Sequence, residues 1–116
     1  MPTIQNPAPE TAEKLPLPDL MKAALGATRE RPDETVRARL NLQLRTEIGR
    51  LLPLVQAQMD AITPRTRAWY ARDAAIDLAK DELAKQIGPS PTAAGLSLAS
   101  LARSLHTLDE FAGGES

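Results

Sequence analysis

The sequence contains no cysteine and only three aromatic residues, which are Trp69, Tyr70 and Phe111. Without cysteine, the chain can form neither a disulfide scaffold, nor a thiolate metal site, nor a redox pair. Its core must therefore be built from leucine, isoleucine, valine, methionine and alanine. Because aromatic and β-branched residues are enriched in strands, their scarcity argues against a β-sheet.

The chain also lacks a long apolar segment. No stretch approaches the roughly 18 consecutive apolar residues that a membrane span requires. The first residues, MPTIQNPAPETAEK, have neither the basic lead nor the apolar run of a signal peptide. With 116 residues, of which 42% are hydrophobic and 25% charged, the chain is expected to form one soluble domain around a single core. The absence of cysteine suits a cytoplasmic location, which we expect for this protein.

The longest helical pattern covers residues 34–62. Its apolar residues recur at steps of three or four, the period of an amphipathic helix, and they are Val36, Leu40, Leu44, Ile48, Leu51, Val55, Met59 and Ile62. Such a helix is about 40 Å long. We expect the other helices to be arranged along this stripe. Pro53 interrupts the backbone hydrogen bonding, but the apolar pattern continues in phase, which predicts a bend near Gly49 and not a break.

Proline, glycine and capping residues mark the remaining boundaries. We predict helices at about 18–26, 33–62, 64–87 and 91–112 within a single domain over residues 17–112. The proline-rich residues 1–16 are expected to form a flexible tail, and residues 113–116 a flexible end. The predicted fold is all-α, an antiparallel three-helix bundle with a short additional N-terminal helix.

Charge is distributed unevenly although the net charge is only −1. Residues 1–35 hold four basic and six acidic side chains, residues 36–72 seven and two, and residues 73–116 three and seven. This pattern indicates either neighbouring helices that neutralise each other or a nucleic-acid face. Under the first interpretation, antiparallel pairing of the second and third main segments brings Arg50 near Asp77 and Arg45 near Asp81.

The patterns typical of catalytic or metal sites are absent. Asp73, Asp77 and Asp81 form an acidic ladder on one helix, but the Glu-x-x-His pairs of di-iron bundles do not occur. His106 is the only histidine, and no motif fixes a nucleophile or an acid beside it. There is also no glycine-rich phosphate loop. We therefore predict no catalytic residue, no cofactor and no metal, and we do not expect an enzyme.

The function favoured by the sequence is a small protein-interaction or regulatory module. Leu42, Leu52 and Leu54 lie off the main apolar stripe and widen it, which predicts a surface for a protein partner or for a second copy, unless the N-terminal helix covers them. The alternative is an accessory nucleic-acid-binding protein that uses the arginine-rich segment 37–72. In that case Arg65, Arg67 and Arg72 would contact phosphates.

A resemblance to a known group of proteins is carried by the helical pattern over residues 34–112 and by two segments within it, LLPLVQAQM at 51–59 and LARSLHTLDEF at 101–111. The chain resembles the short helical proteins of unknown function, rich in alanine, arginine and leucine, that occur in actinobacteria and their phages. The resemblance implies a bacterial cytoplasmic setting. It implies no activity and brings no catalytic residues.

Overall fold

A computed structural model of the chain describes residues 15–113. The flexible tail predicted at 1–16 and the flexible end predicted at 113–116 lie outside this range, except for residues 15, 16 and 113. Between residues 15 and 113 the chain is helical and has no strand, which confirms the all-α class. The helices are α1 (Leu17–Leu25), α2 (Ala27–Glu30), α3 (Glu34–Asp60), α4 (Arg67–Ala84) and α5 (Pro91–Gly113).

The long helix α3 begins with a side-chain cap and runs without a break through its proline. The Asp33 carboxylate accepts a hydrogen bond from the Val36 amide at 2.9 Å. Pro53 has no N–H group to donate to the carbonyl of Gly49. Both residues are exposed, so this carbonyl lies on the solvent side of the helix. The buried side chains of α3 are Leu40, Leu44, Ile48, Leu51, Val55 and Met59.

The turn before α4 differs from the predicted one. The sequence predicts a helix that starts at residue 64, but Arg65 has a left-handed backbone with φ of 69°. A residue with this backbone conformation cannot continue a right-handed helix. Thr66 is therefore the capping residue, its hydroxyl accepts from the Trp69 amide at 3.3 Å, and α4 begins at Arg67.

The centre of the molecule is α5, and not α3 as the sequence pattern predicts. Within residues 15–113, α5 contacts each of the four other helices. Its buried residues are Ala94, Gly95, Leu98, Ala99, Leu101, Ala102, Ser104, Leu105 and Leu108. The many small residues in this set allow several neighbours to approach the helix closely, so that it is covered on more than one side.

The remaining helices flank a central pair formed by α3 and α5. Both α1 and α4 contact each member of this pair. Hydrogen bonds join Arg45 of α3 to the carbonyl of Leu83, and Gln58 to Arg72. Since the order of these partners is reversed along the chain, α3 and α4 run in opposite directions. The Gln43 side chain ties α3 to the start of α1 through both backbone groups of Leu15.

Candidate functional site

An open groove lies between α1 and α5, with the start of α2 at one end. Its volume is about 600 Å³. One wall consists of residues of α1 and the start of α2, which are Pro18, Met21, Lys22, Leu25, Gly26 and Arg29, and the other consists of Ala102, Arg103 and His106 from α5. The groove therefore combines apolar side chains with three cationic side chains and one imidazole.

The groove forms because α1 is held to the core by only one side. Leu20 and Ala24 are completely buried and form the face of α1 that contacts the core. Met21 directly follows Leu20, and Leu25 directly follows Ala24, so both lie beside this buried face. Met21 is half-buried, and Leu25 is 48% exposed. A large apolar side chain thus stands at the edge of the groove without being covered by the chain.

A glycine fixes the position of α2 against α5. A Cβ atom on Gly95 would lie 2.9 Å from Thr28 Cγ2 and 3.0 Å from Thr28 Cα. These distances are shorter than ordinary carbon contacts, so only glycine allows the two helices to approach this closely. The contact holds α2, and with it Arg29, against the central helix.

The positive charges in the groove are not neutralised by other residues of the described range. Within residues 15–113, Lys22, Arg29 and Arg103 have no carboxylate in ion-pair distance. Arg103 makes only a long contact of 3.5 Å to the Ser100 hydroxyl. The one carboxylate contact in the groove belongs to His106, whose Nε2 lies 3.4 Å from Glu110. The groove therefore carries uncompensated positive charge on both walls.

The three leucines predicted as a partner surface lie on different sides of α3. Each residue of a helix advances by about 100°, so Leu52 and Leu54 flank the buried stripe on opposite edges and Leu42 lies across the helix from it. Leu52 packs against the core. Leu42 and Leu54 are 68% and 49% exposed. These side chains consequently do not combine into one apolar patch.

The three arginines predicted to contact phosphate also have different surroundings. Arg65 and Arg67 are exposed beside the start of α4. Arg72 instead donates to Gln58 Oε1 at 3.0 Å and to the Ala68 carbonyl at 3.1 Å, and its guanidinium lies 4.6 Å from the centre of the Phe111 ring. It therefore links α4 to the ends of α3 and α5.

The prediction of ion pairs between α3 and α4 is wrong. Arg45 donates to the carbonyl oxygens of Leu83 at 2.9 Å and Lys85 at 2.6 Å, and not to Asp81. Arg50 pairs with Glu47 on its own helix at 2.7 Å, and not with Asp77. The carbonyls at the end of a helix have no intrahelical partner, and a guanidinium fork satisfies two of them at once.

The last member of the acidic ladder, Asp81, takes part in an exposed ion pair on α4. Asp81 pairs with Lys85 at 3.3 Å, and Glu82 lies 3.5 Å from the same ammonium. The hydrogen bond to Asp81 and the charges of both carboxylates raise the pKa of Lys85. Over residues 15–113, no group of three histidine or acidic side chains is arranged to hold a metal ion.

Sequence reasoning missed the groove because its residues come from two distant segments. A partial signal exists in each. Met21 and Leu25 share one side of α1 at a spacing of four, and so do Ala102 and His106 on α5. Neither pair identifies the other. The contact that brings Lys22 and Arg103 to one recess follows only from the packing of α1 on α5.

Fold and groove together define a small helical protein with an open, positively charged recess. The model of a family of unknown function, DUF6415, matches residues 17–112, and the chain therefore belongs to that family. This confirms the resemblance to an uncharacterised family. No curated protein and no solved structure matches the chain. None of the helices between residues 15 and 113 has the length and apolar character needed to cross a membrane.

Proposed function

We propose that the chain is a non-catalytic interaction module that binds a protein partner through the groove between α1 and α5. The observation that supports this best is the exposed Leu25 beside charges that have no carboxylate partner between residues 15 and 113. A single exposed leucine is ordinary on a protein surface. An apolar edge within a concave, charged recess is instead typical of a surface that a partner covers.

The proposal assigns separate roles to the parts of the fold. α3, α4 and α5 serve as an antiparallel three-helix bundle, and α1 with α2 is the addition that creates one wall of the groove. The setting is the bacterial cytoplasm, as the resemblance to actinobacterial and phage proteins implies. The partner surface differs from the one predicted on α3, because Leu42 and Leu54 lie on separate sides of that helix.

The test is capture of partners by the tagged protein from an actinobacterial lysate, compared with two matched variants. Leu25→Glu places a charge at the groove, and Leu42→Glu places the same charge on the outer side of α3. Both side chains are exposed, so both variants are expected to keep the circular dichroism of the original protein. A protein captured by the original and by Leu42→Glu, but lost with Leu25→Glu, supports the proposal. Equal capture by all three contradicts it.

Nucleic-acid binding through residues 37–72 is the second candidate. Its support is the exposure of Arg65 and Arg67, while Arg72 is engaged by Gln58 and Phe111. Treating half of the lysate with nuclease separates the two functions. Captured material that survives the nuclease supports a protein partner, and material that disappears supports the nucleic-acid function.

A further inference from the structure

The shape of the groove favours a long occupant over a compact one. Pockets for small molecules enclose most of the ligand surface. This groove is open to solvent and is bounded by two helices, α1 and α5, so it can cover only one side of what it binds. Grooves between helices commonly receive the apolar side of another helix, whose residues at i, i+3 or i+4, and i+7 enter the recess.

The charges select the sign of the occupant. Lys22 and Arg29 stand on the wall formed by α1 and α2, and Arg103 stands on the wall formed by α5. Because both walls are positive and these cations have no carboxylate partner between residues 15 and 113, a matching helix carries carboxylates on both sides of its apolar stripe.

The apolar lining of the groove does not favour the bases of a nucleic acid. Met21 and Leu25 are accessible apolar side chains of this lining, whereas Ala102 is completely buried, and none of the residues lining the groove is phenylalanine, tyrosine or tryptophan. Single-stranded nucleic acids bind by stacking their bases on such rings. Methionine and leucine instead accommodate aliphatic side chains of varied shape. The charge and the apolar lining together point to an acidic peptide.

We infer that the groove between α1 and α5 binds an acidic amphipathic helix of another protein. This inference rests on the proposed function and specifies the partner. The apolar stripe of that helix packs on Met21 and Leu25, and its flanking glutamates or aspartates pair with Lys22, Arg29 and Arg103.

The experiment measures binding of fluorescently labelled synthetic helices to the full chain by anisotropy. One peptide carries leucines at helical spacing with glutamates on the flanks. A second carries lysines in place of the glutamates, and a third has the composition of the first in an order that destroys the stripe. We expect the first to bind at least tenfold more tightly than the others, and more weakly as salt is raised.

Charge reversal on the protein supplies the control. Arg29→Glu with Arg103→Glu changes two exposed groove residues, whereas Arg67→Glu with Lys80→Glu makes the same change in net charge on α4. We expect the groove variant to lose binding of the acidic helix at least tenfold and to gain binding of the lysine peptide. The α4 variant is expected to bind the acidic helix as the original does. Circular dichroism verifies that each variant is folded.

Several outcomes would overturn the inference. Equal loss of binding in the two variants would mean attraction by net charge alone, and stronger binding of a single-stranded oligonucleotide would assign the groove to nucleic acid. If the acidic helix fails to bind while Leu25→Glu still loses its captured protein, the partner chemistry is wrong and the interaction function stands. If capture does not depend on Leu25, the function itself fails.

Discussion

The two sides of the central helix pair are covered in different ways. On one side, α4 is joined to its neighbours by polar contacts: Arg45 binds the carbonyls at its end, and Arg72 binds Gln58 and stacks on Phe111. On the other side, α1 and α2 lie against α5 with no hydrogen bond to it from residues in the described range. Apolar packing and close fit alone hold that contact.

This difference shows how a short element creates a binding recess. α4 has 18 residues and α1 only nine, yet each buries its core-facing side chains almost completely. A short helix can therefore complete a core without covering the whole length of its neighbour. The part of α5 that remains uncovered carries Arg103 and His106, and it becomes a wall of the groove.

The largest effects are expected from the buried anchors on the two sides. Leu20→Ala on α1 and Ile76→Ala on α4 remove side chains that are 0% and 3% exposed. Each is expected to lower the free energy of unfolding by about 2–5 kcal/mol, because truncation leaves a cavity. Urea denaturation measures both values. A change near zero for Leu20→Ala alone would break the comparison, since α1 would then be an independent flap.

The next largest effect concerns the contact between α2 and α5. Gly95→Ala places a Cβ atom 3.0 Å from backbone atoms of Thr28, and overpacking of this kind costs about 1–3 kcal/mol. Gly49→Ala is the matched control, because nothing lies within 4 Å of its Cβ position on α3. Alanine is favoured over glycine within a helix, so the control is expected to gain up to about 1 kcal/mol. Equal responses in thermal denaturation would disprove the tight approach.

A smaller effect is expected from the polar contacts on the α4 side. Arg45→Met keeps the length of the side chain but removes its bonds to the carbonyls of Leu83 and Lys85. The loss is expected to be about 1–2 kcal/mol, since hydrogen bonds from charged groups are stronger than neutral ones and these are partly exposed. Arg50→Met, which removes only a pair on the surface of α3, serves as the reference. Equal losses in urea would mean that Arg45 does not hold α4.

The smallest effect is expected at Asp81, which pairs with Lys85 on the surface of α4. The pKa of Lys85 is raised, chiefly by its hydrogen bond to Asp81, so any stability from the pair is present below the unfolded pKa of lysine and is lost as the pH rises past the folded value. Because the pair is exposed, Asp81→Asn is expected to leave the Tm unchanged at neutral pH. A clear drop in Tm there would show a stronger role for this pair.

The sequence predicted those parts of the molecule that depend on periodicity. The buried stripe from Leu40 to Met59 and the leucines of α5 follow from spacing alone. The central position of α5 did not, because Ala94, Gly95 and Ala102 are too small to produce a strong apolar pattern. The turn at Arg65 was also not predicted. Proline is favoured at a helix start, so Pro64 indicates a helix from residue 64, but the left-handed backbone of Arg65 delays the start to Arg67.

The side-chain contacts and the candidate site were harder to predict from the sequence than the fold. Arg45 was expected to pair with a carboxylate, but free carbonyls at the end of α4 were within its reach and the sequence does not indicate them. Lys22 and Arg103 belong to segments at opposite ends of the domain. Their joint contribution to one groove depends on helix packing, and no local spacing encodes it.

The central position of α5 also determines when the chain can fold. It is the last of the five helices between residues 15 and 113 to leave the ribosome, yet the other four pack against it. Until residues 91–113 have been synthesised, Leu20, Leu44 and Ile48 lack the surface that buries them. Between the synthesis of α3 and that of α5, the nascent chain therefore presents an apolar stripe that α5 does not yet cover, and we expect it to depend on chaperones or rapid completion to avoid aggregation.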